Sequence, residues 1–561
     1  MFKISDKDRQ LDAFANIPTM LEDSASKIFN DQNHWHNQFR NHVVMPLDET
    51  IFSVLFSNSM GAPNSSIRLL TGMMILKEAF GWSDLQLFEQ CQFNLLTRSA
   101  LGLININDSI PAPSTYYLLR KRIHEHGLQT GENLIEKVFA NITRQQVKKF
   151  EVNGQSIRMD SKLFGSNIAL YSRYEIIHQT LCRFYEKLDD SLKERLSATD
   201  REQMNELKKE DPQKTIYRSN REEIKGRLQP IGILTYKLLQ LYNDLETKSF
   251  QLLQRVFNEQ YKVLEDQQVE LRPKDEITSS SIQSPHDPDC AFRNKGDQKV
   301  KGYSANITET CSETGLNLIT SVIVETANTP DTTFVKPAIE ATKEITGQPI
   351  EKINADGAYQ SPDNDEFCKG IDMVYTGIQG AEPRYDLKIT PEGLLVTDTL
   401  TGEQQIAGLV KKTKNSKGDR YRITTETGYC YFGQQAIRAS LMRKIMKERP
   451  VEETRKRNNV EATVFQYGFQ LKNKKSKYRG LINQKTWSFC RCLWINLVRI
   501  MNYLEQIYQR TNKNHQNPVF LNYFALLLKM TNHIIPKAIS ITNRIFTKFE
   551  FLYQFRFYRL V

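Results

Sequence analysis

Apolar positions recur at helical spacing in SIRLLTGMMILKEAFGWSDLQLFEQC, at Leu69, Leu70, Met73, Met74, Ile75 and Ala79. Gly81 ends that run. Ser83, with Gln86 three residues on, predicts a capping box for the next helix. In PAPSTYYLLRKRIHEHG two prolines and then Ser114 predict another start, with Ser114 as N-cap. The pattern changes at QSIRMDSKLFGSNIA, where Ile157 and Met159 flank Arg158 and predict a strand ending on Asp160. Residues 171–280 return to helical spacing, and SSSIQSPHDPD (279–289) is a polar exit loop. KVKGYSANITET and LNLITSVIVETAN read as strands around the turn CSETG. PDTTFVKPAIEATKEITG reads as a helix, with Asp331 near its start and Gly347 as its stop. A short strand with Ile350, Ile353 and Ala355 then ends at Asp356 in INADGAYQS, and GIDMVYTGI (370–378) is a further strand. Residues 381–440 are rich in Thr, Tyr, Gly and Val and read as β; from about 438 the chain is helical again.

This order predicts a mixed α/β core interrupted twice. Hairpin strands followed by a strand reached through a helix imply a mixed sheet. The expected division is an N-terminal arm (1–50), a helical domain (51–150), a core made of 151–170, 290–380 and 438–505, a helical insertion (171–289), a β-rich insertion (381–437) and a C-terminal tail (506–561). A chain of 561 residues suits roughly three or four such units.

Composition narrows the class. Apolar content is 39% and charged content 25%, and no run of about 18 uncharged apolar residues occurs, so no membrane partner is expected. The charged N-terminus predicts a cytoplasmic protein. The eight cysteines show neither zinc half-sites nor a disulfide framework; the CxC pair Cys490 and Cys492 lies on an expected helix. His34, His36 and His42 suggest a metal at first sight, but no cysteine is near, which favours a packing or solvated role. Basic side chains exceed acidic ones by 76 − 65 = 11. Between Leu441 and Gly480 there are 12 basic and 4 acidic residues, and from Thr511 to Val561 there are 7 and 1. Such concentration suits a polyanion, because neutralising phosphates releases counterions; a merely lysine-rich surface is the alternative.

Two aspartates, Asp160 and Asp356, end predicted strands. On neighbouring strands they would share divalent cations: Mg²⁺ takes hard oxygen ligands, and a pair of ions stabilises both attacking and leaving oxygens in phosphoryl transfer. Asp-Gly at 356–357 is equally a turn dipeptide. A third acid would come from a later element. Glu461 is the candidate, on a helix that Asn458 or Asn459 would cap, with Glu452 and Glu453 as rivals. At about 100° per residue, Arg457 lies about 40° from Glu461 and Lys472 about 20° from it. An acid among bases suits metal and phosphate together, and it also suits a solvated helix laced with ion pairs.

The motifs then resemble those of bacterial insertion-sequence transposases of the DDE type. GAPNSSIRLLTGMMILKEAFGWSDLQLFEQCQFNLLTRSALGL with PAPSTYYLLRKRI resembles their N-terminal domain. RMDSKLFGSNIA, KINADGAYQS and RNNVEATVFQYGFQLKNKKSKYRG resemble their three catalytic-acid motifs in order, and the likeness covers most of 55–505. The resemblance implies an RNase H-like core, catalytic and metal-binding Asp160, Asp356 and Glu461, and two Mg²⁺ ions with Mn²⁺ able to substitute. It implies cleavage of double-stranded DNA at terminal inverted repeats, joining of the 3′-hydroxyl to target DNA, and a homodimer that pairs the two ends in the bacterial cytoplasm, nucleoid-associated. Arg457, Lys472, Lys474, Lys475, Lys477 and Arg479 would contact DNA, as would Arg120 and Arg122 of the helical domain. Relatives often show Tyr, two residues, Arg, three residues, Glu, six residues, Lys. Here Arg457 keeps its place, Thr454 stands at the Tyr position, and Gly468 stands at the Lys position, with Lys472 one turn further on as the expected replacement. A transposase-derived DNA-binding protein that no longer cuts, and a Mg²⁺ nuclease without joining activity, are the rival readings.

Overall fold

The computed structural model describes residues 1–5, 11–12, 15–296, 298–313, 315–377, 384–410, 419–426 and 428–513. The C-terminal tail expected at 506–561 lies outside them beyond Lys513.

The N-terminal region is helical. Helix α1 (Ile67–Phe80) is capped by Ser66 and stopped by Gly81, whose φ of 70° is the left-handed conformation glycine adopts without a Cβ penalty. Helix α2 (Asp84–Phe93) starts with the expected capping box between Ser83 and Gln86. Helix α3 (Pro113–Thr130) begins two residues earlier than expected. Its N-cap is Ala112 with no side-chain cap, because Pro113 already supplies the φ of a first helical residue, so Ser114 lies inside the helix. Helix α4 (Leu134–Lys149) follows. His36 and His42 are buried packing residues; burial pushes both imidazoles down to about 4, and His36 bonds the Phe29 carbonyl at 3.0 Å.

Strand β1 (Ser156–Gly165) runs on past Asp160, which therefore sits mid-strand rather than at a strand end. A helical segment with its own apolar cluster comes next. It includes α5 (Arg173–Glu186), α6 (Arg221–Leu241) and α7 (Lys248–Gln260), packed through Leu181, Phe184, Leu238, Tyr242 and Val256. The sheet resumes with β2 (Ala291–Lys295), β3 (Gln298–Thr310) and β4 (Ile319–Thr326). Helix α8 (Val335–Thr346) then leads to β5 (Lys352–Ala355) and β6 (Asp372–Tyr375). β3 pairs antiparallel with β1, β1 parallel with β5, and β5 parallel with β6; β2 and β4 share the outer edge of β3. The sheet is mixed, as the order of elements predicted.

A separate antiparallel sheet of five strands lies between Tyr385 and Gly433. Helices α9 (Gln434–Glu448), α10 (Asn458–Gly468) and α11 (Leu481–Lys513) close the described chain. The two faces of β1 diverge. Ile157 and Met159 join Val335, Ala338 and Ile339 of α8 in one apolar cluster. Phe164, on the opposite face, joins a larger cluster that fuses the N-terminal helices, the sheet and α11 through residues such as Met73, Phe139, Tyr303, Tyr467, Trp487 and Trp494. Trp487, Trp494, Cys490 and Cys492 are all buried there, as apolar stripes at helical spacing should be.

Candidate active site

Side chains alternate along a strand, so Arg158, Asp160, Lys162 and Phe164 share one face of β1. Helix α10 lies against that face. Arg158 Nη1 donates to the Lys456 carbonyl at 3.3 Å, Asp160 meets Arg457, and Phe164 meets the Tyr467 ring edge-on at 6.3 Å. Strand pairing brings the second aspartate alongside. Ile157 pairs with Ile353 and Arg158 with Asn354, an offset of 196. Asp356 follows Asp160 by the same offset, 356 − 160 = 196, one residue beyond the end of β5.

Three acids drawn from separate parts of the sequence then meet one guanidinium. Arg457 Nη2 lies 3.0 Å from Asp160 Oδ2 and 3.9 Å from Asp356 Oδ2, and Nη1 lies 3.0 Å from Glu461 Oε1. Side-chain exposure rises from 15% at Asp160 to 44% at Asp356 and 57% at Glu461, so the cluster has a buried floor and an open mouth. Burial raises the Asp160 carboxyl above its usual range; Arg457 and the Ser161 N–H oppose this, and the Asp356 carboxylate adds to it. The expected proximity of Arg457 and Glu461 follows from their i, i+4 spacing. The expected asparagine cap does not form: Arg457 occupies the N-cap position in helical conformation, and no side chain caps the helix. Of the rival acids, Glu453 is held at the sheet edge by Lys352 at 3.0 Å and Arg449 at 3.4 Å.

A buried carboxylate below the cluster holds it together, and the sequence reading missed it. Glu309 of β3, directly opposite Arg158, is fully buried and bonded to Arg158, Arg499 and Thr463. Burial alone would raise its carboxyl, but Arg499 and Arg158 outweigh that and hold it below the usual range. Two of the three partners adjoin the site: Arg158 is two residues before Asp160, and Thr463 is two after Glu461. On the other face of β1, Ser161 Oγ donates to Asp331 Oδ1 at 3.0 Å, and Arg293 pairs with Asp331 at 3.2 Å. Asp287, read as a loop acid, is buried and accepts from Ser166, from Tyr303 at 2.6 Å and from the Gly480 N–H at 3.1 Å. Burial raises its carboxyl.

The basic residues predicted to contact DNA divide by their partners. Lys475 Nζ donates to the Ile168 carbonyl at 2.8 Å, Lys477 Nζ to the Gly81 carbonyl at 2.5 Å, and Arg479 Nε to the Asn167 carbonyl at 2.6 Å. These three tie the 472–479 loop to the rest of the chain. Arg120 pairs with Asp84 at 3.6 Å and lies over the Tyr116 and Tyr478 rings; Arg122 lies over the Phe56 ring. Lys472 and Lys474 are exposed. Lys472 does not lie on the Glu461 face of a continuing helix, because α10 ends at Gly468 and the chain turns there. Among the described residues, no three His, Cys, Asp or Glu side chains are grouped to hold a metal ion; at the acids, the Arg457 guanidinium stands between the carboxylates.

The architecture is thus a mixed α/β unit joined to a helical N-terminal region, with an acidic cluster gathered on one arginine beside the central strand. Residues 24–122 match the family described as Transposase domain (DUF772), and this match supports an insertion-sequence transposase. The matched span covers α1, α2 and the first part of α3, and none of the three acids. No curated protein and no solved structure matches the chain. No described helix is long and apolar enough to cross a membrane.

Proposed function

We propose that this transposase works by DDE-type phosphoryl transfer on an RNase H-like sheet, with Asp160, Asp356 and Glu461 as the acid triad. The observation that supports this most is the convergence of those three carboxylates, from three distant segments, on the Arg457 guanidinium. Strand order supports the fold reading: a long hairpin runs antiparallel to β1, and β5 and β6 lie parallel on its other side.

The donor set suits Mg²⁺. All three side chains offer hard carboxylate oxygens, and they already surround one cationic centre. Asp160, Asp356 and Glu461 would hold the ions once Arg457 turns to a phosphate. When bound, two such ions supply Lewis acidity at the attacking and leaving oxygens of an in-line displacement.

The chain's own residues do the rest. Arg457 screens repulsion among the three acids, which like charges held this close in a partly buried site require. Its planar fork also matches a phosphate, so it exchanges one anion for another as DNA arrives. The Glu309 clamp fixes α10 against β1 and so fixes Glu461 relative to Asp160. The substrate is double-stranded DNA at the inverted repeats that border the element. The ends are cleaved, and the freed 3′-hydroxyl is joined to target DNA, with two copies of the chain holding the paired ends. Lys472 and Lys474, exposed on the loop that joins the Gly165 end of β1, are the phosphate contacts that remain from the 472–479 loop.

Excision of a donor flanked by the gene's bordering repeats tests this reading. Asp356→Asn should lower cleavage by about 10³-fold or more while binding of the same DNA persists. Cleavage at the wild-type rate by that variant would overturn the triad.

A further inference from the structure

Lys162 is the one charged residue on the site-facing side of β1 that none of the contacts above employs. It follows Asp160 by two residues, so it extends from the same face. Among the described residues its side chain makes no hydrogen bond and no ion pair, although it is half-buried. Its path is set by two small neighbours. Ala305 is its cross-strand partner on β3. On the helix side its stem crosses Gly468: a Cβ built at that glycine would lie 3.2 Å from Lys162 Cε and 3.8 Å from Nζ. The glycine leaves room for the lysine stem, and the ammonium emerges at the C-terminal end of α10.

We propose that Lys162 is a phosphate-binding residue of this site, reaching DNA across Gly468. This rests on the reading of the chain as a DNA-cutting transposase and extends it to a residue not otherwise assigned. Gly468 is seven residues after Glu461, which places the two within about 20° on the helix and about 10 Å apart along its axis. The ammonium therefore stands on the Glu461 face, displaced along it. Phosphates recur about every 3.4 Å of axis on one strand, so the contacted phosphate is on the order of three nucleotides from the reacting one. A half-buried, unpaired ammonium is stabilised when a phosphate arrives, because its stem is already ordered by packing. The lysine that the resemblance places on the helix is supplied here by the strand.

The test is binding of duplex DNA bordering the gene, followed by fluorescence anisotropy over a sodium chloride series without divalent metal. Lys162→Gln, which keeps most of the stem, should weaken binding and flatten the slope of log K against log salt by about 0.9, the loss of one phosphate contact. Lys162→Arg should keep the wild-type slope. Gly468→Lys placed on Lys162→Ala should restore it, because the removed stem leaves the space the new side chain needs. An unchanged slope in Lys162→Gln, with wild-type binding salt-dependent, would overturn the role of Lys162 alone. Wild-type protein whose affinity ignores salt would overturn the DNA-binding reading with it.

Discussion

The two faces of β1 solve different problems with the same ten residues. On one face Ile157 and Met159 are buried against Val335, Ala338 and Ile339 of α8, and their contribution is area removed from water. On the other, Arg158 and Asp160 meet α10 and its N-terminal approach through charge and hydrogen bonds, Lys162 crosses Gly468, and Glu309 is buried beneath them. The apolar face tolerates exchange of one hydrocarbon shape for another of similar volume. The charged face does not, since removing one partner leaves another charge buried and unpaired. Both faces hold the fold together, and on the proposed reading only the charged one also carries chemistry.

Removing the clamp should have the largest effect on folding. Glu309→Ala leaves Arg158 and Arg499 without their carboxylate and should cost about 3–5 kcal/mol, read by chemical denaturation. Because Arg158 and Thr463 flank the acids, cleavage should fall further than the loss of folded protein explains. Met159→Ala sharpens the contrast from the opposite face. It should cost about 2–4 kcal/mol by cavity formation, yet leave the salt dependence of DNA binding unchanged. A changed salt slope in that variant would show that the two faces are not independent.

The smallest effect is in pH. The Glu309 carboxyl is held below its ordinary range in the folded chain, so its contribution is complete above the unfolded value. It is lost as pH falls through the lower folded value. Stability of the wild type should therefore drop on acidification, and Glu309→Gln, already destabilised, should show a shallower acid limb when unfolding is followed at stepped pH. Equal acid limbs would mean the clamp is not the titrating group.

Much of the site was legible because its geometry is local or periodic. Arg457 and Glu461 meet through helical spacing, and Asp160 and Asp356 through strand patterns that each carry an acid. Residues whose roles depend on elements crossing were not legible. Glu309 reads as one more polar residue in SANITET; the usable signal was its alternation with Ile307 and Ala305, which places a carboxylate on a buried face. Lys162 gains its meaning from Gly468, which is distant in sequence and whose missing side chain reads as a defect in the motif. The 472–479 loop misled for a related reason. Charge counting finds Lys475, Lys477 and Arg479 but not the carbonyls of Ile168, Gly81 and Asn167 that occupy them. The match over 24–122 agrees with the N-terminal motif, while the acids rest on their own geometry.

Helix α11 has a mechanical consequence. Its first half contributes Trp487, Cys490, Leu493, Trp494 and Leu497 to one continuous apolar cluster that also holds the N-terminal helices and the strands beside the acids. It serves as a keel to which both parts are fastened. Tilting one part against the other would expose that seam to water, at about 25 cal/mol for each square ångström opened. On the proposed reading, in which the substrate is duplex DNA, any bending required to seat it therefore falls to the duplex, whose elastic cost depends on its sequence. The stiffness of the element's end would then be a feature this chain selects for without touching a base.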